Sequence, residues 1–400
     1  METLVSSLLA VCAGVLAIPI AIFFLEVASA IVLLPRDPTP SKSNALRGRV
    51  AVLVPAHDES NGLLPTIREI QGQLLAGDRL LVVADNCNDN TASVASAAGA
   101  EVVERHDPAK RGKGYALDFG IRYLAADPCS IVIIIDADCR LAEGAIERLA
   151  TTCTMTRRPV QALYLMTGGK EPRKINREVA EFAWRVKNWV RPLGLSALRL
   201  PCQLMGTGMA FPWDVIRFAD LAHGWIVEDL KLGLDLASAG YSPVFGPSAC
   251  VTSEFPLSVD GSASQRERWE RGHITTILTS VPQLLWRAVV HRNWSLLALT
   301  LDLSVPPLSL LGLLVMGMFI IAGPAALFGL SSRPFAICSV NLMAFSVAAF
   351  LAWVKFGREV LPPRALLSIA PYALGKIRLY MRTLFKKTDT LWIRTDRTKS

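Results

Sequence analysis

Hydrophobic and polar positions alternate in different ways along three parts of this chain. Residues 4–34 are almost wholly apolar, longer than the about 20 residues that a bilayer core requires, and predict a membrane-spanning helix. Residues 295–330, interrupted by Asp302, and residues 335–356 are two further apolar runs joined by the short Ser331-Ser332-Arg333-Pro334 connection. They predict a transmembrane hairpin. A weaker apolar patch at 365–374 predicts an interfacial or re-entrant segment, with a fourth span as the alternative. Between residues 50 and 285 the pattern changes to short apolar runs that end in turns or acids. Val50-Ala51-Val52-Leu53-Val54-Pro55, Leu80-Leu81-Val82-Val83-Ala84 and Ile131-Val132-Ile133-Ile134-Ile135 predict buried strands, with a helix over 62–75 after the first. Strands alternating with helices predict an α/β, Rossmann-like, mostly parallel sheet covered on both faces. Ligands of such sheets bind at the carboxyl ends of the strands.

Composition supports the membrane reading. The 400 residues are 52% hydrophobic, with a mean hydropathy of +0.37, high for a soluble enzyme. The formal charge of +8 gathers beside the apolar runs and at 376–399, which fits anionic lipid headgroups better than nucleic acid. Basic residues follow the first run at Arg36, Lys42, Arg47 and Arg49 and flank the hairpin at Arg287, Arg292, Lys355, Arg358 and Arg364. The positive-inside rule then predicts a multi-pass protein of the inner (cell) membrane with an external N-terminus and a cytosolic central domain. Ala28-Ser29-Ala30 resembles a signal-peptide cleavage site, but the run is too long and lacks a basic leader. The expected division is an N-terminal transmembrane helix at 1–35, a catalytic domain at 48–285, the hairpin at 294–357 and a basic interfacial or cytosolic tail at 358–400. Glu26 stands within the first span, where an ionisable group needs a partner. The eight cysteines show no CxxC pair and no metal-finger spacing, which predicts reduced thiols.

The strand ends carry the candidate chemistry. His57-Asp58-Glu59 follows the first strand, Asp85-Asn86 with Asp89 the second, and Asp136-Ala137-Asp138 the third; Glu228-Asp229 comes later. A carboxylate pair directly after a buried strand suits a hard divalent cation, Mg2+ or Mn2+, held against substrate phosphates. Arg111-Gly112-Lys113-Gly114 is a flexible basic turn suited to phosphate or to orienting the second loop. Gln265, Arg268 and Trp269 lie at i, i+3, i+4 spacing and share one helix face.

Taken in order, Val54-Pro55-Ala56-His57-Asp58-Glu59, Asp85-Asn86, Asp136-Ala137-Asp138, Gly206-Thr207-Gly208-Met209, Glu228-Asp229 and Gln265-Arg266-Glu267-Arg268-Trp269 resemble the motifs of family 2 glycosyltransferases. That group has the GT-A fold and includes the cellulose, chitin and hyaluronan synthases; the resemblance covers residues 50–273. It implies an inverting, metal-dependent hexosyltransferase that uses a nucleotide-sugar, of the UDP type. It implies donor contacts from Pro55, Glu59, Asp85, Lys113, Asp136, Gln265 and Arg268, with Asp138 as metal ligand. The Glu228-Asp229 pair corresponds to the catalytic-base box, the second acid taking the acceptor proton, and Gly206, Thr207, Gly208 and Trp269 face the acceptor. His57 departs from the Tyr or Asn frequent in the family and receives no role. With only three or four spans, the chain is expected to add one sugar to a lipid-linked or glycan acceptor for a cell-envelope or exopolysaccharide product. A processive synthase completed by partner subunits is the alternative.

Three other readings fit less well. A transporter does not need a large strand-helix domain. A non-catalytic nucleotide-sugar-binding membrane protein does not need Asp138 and Asp229 together, and a nucleotidyltransferase does not need the QxxRW face.

Overall fold

The computed structural model describes residues 2–33, 47–167, 175–223, 227–255 and 259–385. The connection after the first span, with Ser43 and the basic positions Arg36 and Lys42, and the tail from 386 lie outside these residues. Eight strands, β1 (Val50–Ala56), β2 (Arg79–Asp85), β3 (Glu101–Arg105), β4 (Ile131–Ile134), β5 (Arg140–Leu141), β6 (Val160–Thr167), β7 (Met209–Pro212) and β8 (Val244–Glu254), form one sheet in the order β3-β2-β1-β4-β7-β6-β8-β5. Helix α1 (Glu2–Val32) precedes it. Helices α2 (Leu64–Gln71), α3 (Thr91–Ala97), α4 (Lys113–Leu124), α5 (Ala145–Thr156), α6 (Ile175–Arg185), α7 (Arg191–Ala197), α8 (Trp213–Ile216) and α9 (Glu228–Ser238) lie between strands. After the sheet come α10 (Val259–Val290), α11 (Trp294–Leu303), α12 (Leu308–Leu327), α13 (Arg333–Ala352), α14 (Ile369–Gly375) and α15 (Ile377–Phe385).

The continuous apolar runs of β1, β2 and β4 reflect burial on both faces, because successive side chains in a strand point opposite ways. Val50, Val52, Val54, Ile131 and Ile133 pack with Ile67 and Ile70 of α2 and Leu149 of α5. Ala51, Leu53, Val83, Val132 and Ile134 pack on the other side with Leu117 and Ile121 of α4 and Leu232 of α9. β1 runs parallel to both neighbours, with Pro55 beside Val83 and Leu53 beside Ile134. Their acidic carboxyl ends therefore share one edge. β7, too short to stand out in the sequence, enters antiparallel to β4 and pairs Met209 with Ile134. That reversal sets the Gly206-Thr207-Gly208 turn beside the end of β4.

Among the described residues, three helices are long and apolar enough to cross a membrane: Glu2–Val32, Leu308–Leu327 and Arg333–Gly357. The apolar stretch read from 294 as part of one hairpin is divided. Its first part, α11, is capped by Asn293, whose side chain accepts from Leu296 N at 2.9 Å, and buries Leu296, Leu299 and Leu303 against Leu230 and Leu234 of α9. Pro306 and Pro307 then stop the helix, since proline supplies no amide donor and restrains the residue before it. The patch near 365–374 folds as a 3-10 turn (Pro363–Ser368) and the short α14, each shorter than a bilayer span. Ile20, Phe23 and Val27 of α1 join Val179, Phe182 and Val190 in a second apolar core, so α1 is packed against the sheet domain's own helices.

Candidate active site

The carboxyl ends of β1, β2 and β4 open onto a cleft of about 290 Å3. Its walls include Pro55, Glu59, Asp85, Lys113, Asp136 and Asp138 on one side, and Gly206, Glu228, Asp229, Gln265, Arg268 and Trp269 on the other. Of the candidates, Thr207 and Gly208 stand behind this wall and support it. The loops after β1 and β2 are held in uncommon backbone conformations, with Asp58, Ser60 and Asn86 at φ of 51°, 44° and 52°. Such non-glycine left-handed residues persist where the surroundings over-determine them. Here Thr91 Oγ1 accepts from the amides of Glu59 and Ser60 at 2.8 and 2.9 Å and donates to Asp89 at 2.5 Å. His57 Nδ1 lies 2.7 Å from Asp85 O and ties the two loops together.

Asp85 is buried, and Arg105 Nη1 donates to its Oδ1 at 2.5 Å. Arg105 was not apparent as a site residue; the signal is its place opposite Asp85 in the β2–β3 register. Lys113 opens α4, forms an ion pair with Asp136 and donates to Gly206 O at 2.7 Å. Burial opposes its charge, yet Asp136, Glu228 and Asp229 outweigh burial and hold the ammonium above its usual range. Thr207, fully buried, accepts from Asp136 N at 3.0 Å through its hydroxyl. Gln161, also missed in the sequence, fixes the same turn: it donates to Thr207 O at 2.9 Å and accepts from Met205 N at 2.8 Å.

Gly206 takes φ +91°, and a Cβ there would sit 3.5 Å from Asp229 Oδ2 and 3.8 Å from Lys113 Nζ. A Cβ at Gly208, at φ +65°, would meet Ala162 Cβ at 2.8 Å, so the turn needs both glycines. Glu228 and Asp229 form the first turn of α9. Burial pushes the Glu228 carboxyl up to about 7, with Lys113 pulling it down and Asp229 adding to the rise. Burial raises Asp229 as well, against the pull of Lys187 and Lys113.

Asp136, Asp138 and Cys139 offer ligand atoms within 4.8 Å of one another. Burial and the neighbouring carboxylates push the Cys139 thiol well up, and its sulfur lies 3.4 Å from Thr207 Oγ1, which leaves the two carboxylates as the donors suited to a hard cation. Gln265 is buried on α10 and its Oε1 has no hydrogen-bond partner among the described residues. A buried orphan of this kind calls for a ligand or water. Trp269 packs on Trp184 with ring centroids 5.0 Å apart, so the aromatic wall is made by two rings, the second supplied by α6. Lys187, Asn188, Arg191, Gln203, His273 and Asp302 also line the cleft, and none of these carried a sequence signal as a site residue. Burial pushes His273 down to about 3, and its neutral ring donates from Nε2 to Leu303 O at 3.1 Å.

Comparison with known proteins agrees with this geometry. The profile of the glycosyltransferase like family 2 matches residues 47–272. An uncharacterized glycosyltransferase of Mycobacterium tuberculosis is 37% identical over 211 residues, 49% of this chain and 90% of that protein. A probable glycosyltransferase of Bacillus subtilis, YdaM, is 25% identical over 262 residues, 59% of this chain and 57% of the relative's own length. Among solved structures, a mannosyltransferase of Pyrobaculum calidifontis in complex with GDP-Man and Mn2+ matches with a TM-score of 0.52 at 16% identity, covering 95% of this chain and all of that one.

Proposed function

Because this chain belongs to the glycosyltransferase like family 2, we propose that it transfers a hexose, with inversion and with the help of a divalent cation, from a nucleoside-diphosphate sugar to a lipid-linked acceptor at the cytosolic face of the inner membrane. The observation that carries this reading is convergence. Asp138, Asp229, Gln265 and Arg268 come from a strand end and two helices far apart in sequence and line one cleft. The GT-A fold is that of the mannosyltransferase solved with GDP-Man and Mn2+.

Glu59 and Asp85 hold the base and ribose. Asp138 holds the cation with Asp136 beside it; when bound, the cation neutralises the diphosphate leaving group. Lys113 and Arg268 add positive charge where the diphosphate departs, and a guanidinium can fork onto two of its oxygens. Asp229 takes the proton of the acceptor hydroxyl, whose oxygen bonds to the anomeric carbon as the diphosphate leaves from the opposite face. A carboxylate whose pKa is drawn toward neutrality suits that task. Trp269, with Trp184, gives the acceptor sugar an apolar wall. The proposed division of the chain is an anchor at 1–35, a catalytic unit at 48–285 extended by α11, a transmembrane hairpin at 308–357 and a basic tail.

Membranes carrying the chain are supplied with a panel of nucleotide-sugars, and release of nucleoside diphosphate is followed. One donor consumed in an acceptor-dependent way supports the reading and identifies the base and sugar; no consumption of any donor overturns it.

A further inference from the structure

The proposed chemistry uses neither His57 nor Cys87, yet the fold brings them together. Parallel pairing sets Ala56 of β1 beside Ala84 of β2, so His57-Asp58 leave one strand next to Asp85-Asn86-Cys87 at the end of the other. Among the described residues, His57, Asp58 and Cys87 each offer a ligand atom within 4.8 Å of the other two. The group shares no residue with Asp136, Asp138 and Cys139. No spacing in the sequence announces it, because its members meet only across two loops.

The histidine ring is already oriented for a ligand's task. Asp85 O, 2.7 Å from His57 Nδ1, can only accept, so Nδ1 carries the proton and the lone pair of the neutral ring lies on Nε2. Metal-binding histidines commonly spend their other ring nitrogen on a backbone carbonyl in this way. Nε2 faces Asp58 Oδ2 across 3.7 Å. Two acceptors then confront each other, and a proton on Nε2 or a cation between them makes the contact favourable. Asp58 Oδ1 accepts from Asn88 N at 2.7 Å, which orients the carboxylate as well. Cys87 Sγ accepts from Asp58 N at 3.4 Å, so the sulfur is drawn to the residue whose side chain closes the group. The side chains of His57 and Asp58 are 24% and 18% exposed, and Cys87 is half-buried. An ion can reach them from solvent.

Imidazole, carboxylate and thiolate together suit a borderline cation such as Zn2+, whereas a pair of carboxylates suits Mg2+ or Mn2+. Zinc bonds of about 2.0–2.3 Å set tetrahedral ligand atoms roughly 3.3–3.8 Å apart. The separation of His57 and Asp58 already fits one edge, and Cys87 has to close by about an ångström. We propose that His57, Asp58 and Cys87 bind one ion of the Zn2+ class, with water as fourth ligand, separate from the cation assigned to Asp138. Binding releases the Cys87 thiol proton to solvent and clasps the two loops that carry Glu59 and Asp85. The inference stands on these three residues and does not rest on the transferase reading.

The test uses the full chain in detergent, stripped of metal and kept reduced, with Co2+ as the spectroscopic stand-in for Zn2+. The first equivalent should give the visible bands of a tetrahedral ion and a near-ultraviolet thiolate-to-cobalt band, both erased by Zn2+. Cys87→Ser should lose the thiolate band, and Asp138→Asn should leave both signals unchanged. His57→Asn, which keeps an amide donor for Asp85 O, should weaken Co2+ binding by about tenfold or more, the loss that even an outer-shell partner causes. Each variant is first melted without metal, and a midpoint equal to the parent's shows an intact fold. A parent chain with no thiolate band overturns the proposal and leaves His57 and Asp58 as an ion pair. A band that survives Cys87→Ser, or that disappears with Asp138→Asn, places the ion at Asp136, Asp138 and Cys139 and overturns it too. No nucleotide-sugar is present in these measurements, so a failure of this site and a failure of sugar transfer register separately.

Discussion

Replacing Arg191 by methionine should destabilise the protein far more than an exposed arginine substitution would. Arg191 Nε donates to Glu26 Oε2 at 2.6 Å, and Nη2 donates to Asp302 Oδ1 at 2.5 Å and to the Asp302 carbonyl at 2.7 Å. All three residues are buried, at 6%, 2% and 6% exposure. One guanidinium thus joins α1, α7 and α11. Methionine keeps most of the stem's volume, so the loss is chiefly electrostatic. Removing one partner of a buried ion pair costs about 3–5 kcal/mol, because the remaining charge is left uncompensated. For a domain of this size each kcal/mol lowers the melting temperature by about 2–4 °C, which makes the expected drop roughly 6–20 °C. Thermal unfolding of the detergent-solubilised protein measures it, with Arg199→Met as the surface control. The triple variant Glu26→Gln, Arg191→Met, Asp302→Asn carries no stranded charge and should recover most of the loss. A single variant that melts within about 2 °C of the parent, or a triple variant no more stable than the single, would refute the argument.

Asp138→Asn should abolish transfer while leaving the fold intact, and chelation should reproduce the loss; full activity of that variant removes the metal site from this position. Asp229→Asn should keep nucleotide-sugar binding and lose about 100- to 10,000-fold in turnover, whereas a change confined to donor affinity would make Asp229 a binding residue. Because burial raises the Asp229 carboxyl above its ordinary range and the base acts deprotonated, turnover should begin to decline at a higher pH than an ordinary aspartate, at about 4, would give; a profile flat down to about pH 4 contradicts the assignment. Reporter fusions at Ser43 and Lys399 should read cytosolic and at Ser331 external, and an external Ser43 would sink the cytosolic enzyme. Purified protein with donor and lipid acceptor should give a product one sugar longer, while a ladder of long polymer would favour the processive alternative.

The strand-end side of the cleft was legible in the sequence because each of its parts is local. A buried strand ends, the next few residues face the cleft, and the acids after β1, β2 and β4 can be read off the chain without knowing what packs elsewhere. The helical spacing of Gln265, Arg268 and Trp269 is likewise contained within one turn. The same local logic failed where the position of a residue depends on a distant partner. Lys187 and Asn188 stand in no motif and at no strand end, and only the π-helical turn that carries them places them at the cleft. The apolar run from 295 looked like a span because periodicity cannot separate a helix packed on protein from one facing lipid, and its two prolines counted for less than its hydropathy. Gln161 carried no signal, since its role is to fill the hydrogen bonds of a turn 44 and 46 residues away.

This division between local and distant parts follows the physical construction of the molecule. The strand-end loops on the proposed donor side are braced from within the sheet domain by Thr91 and Arg105. The opposite end of the cleft is different, because Arg191 there is held by Glu26 of α1 and Asp302 of α11. Gly194 adds a steric constraint at the same junction: a Cβ there would fall 1.9 Å from Glu26 O, so α7 and α1 meet backbone to backbone. Shifting α1 must then move Arg191 and the π-helical turn before it. On the proposed reading, the membrane helices do more than anchor the enzyme. They set the geometry of the half of the cleft in which the acceptor lies, so a catalytic unit cut free of α1 would keep its donor loops and lose the shape of its acceptor side.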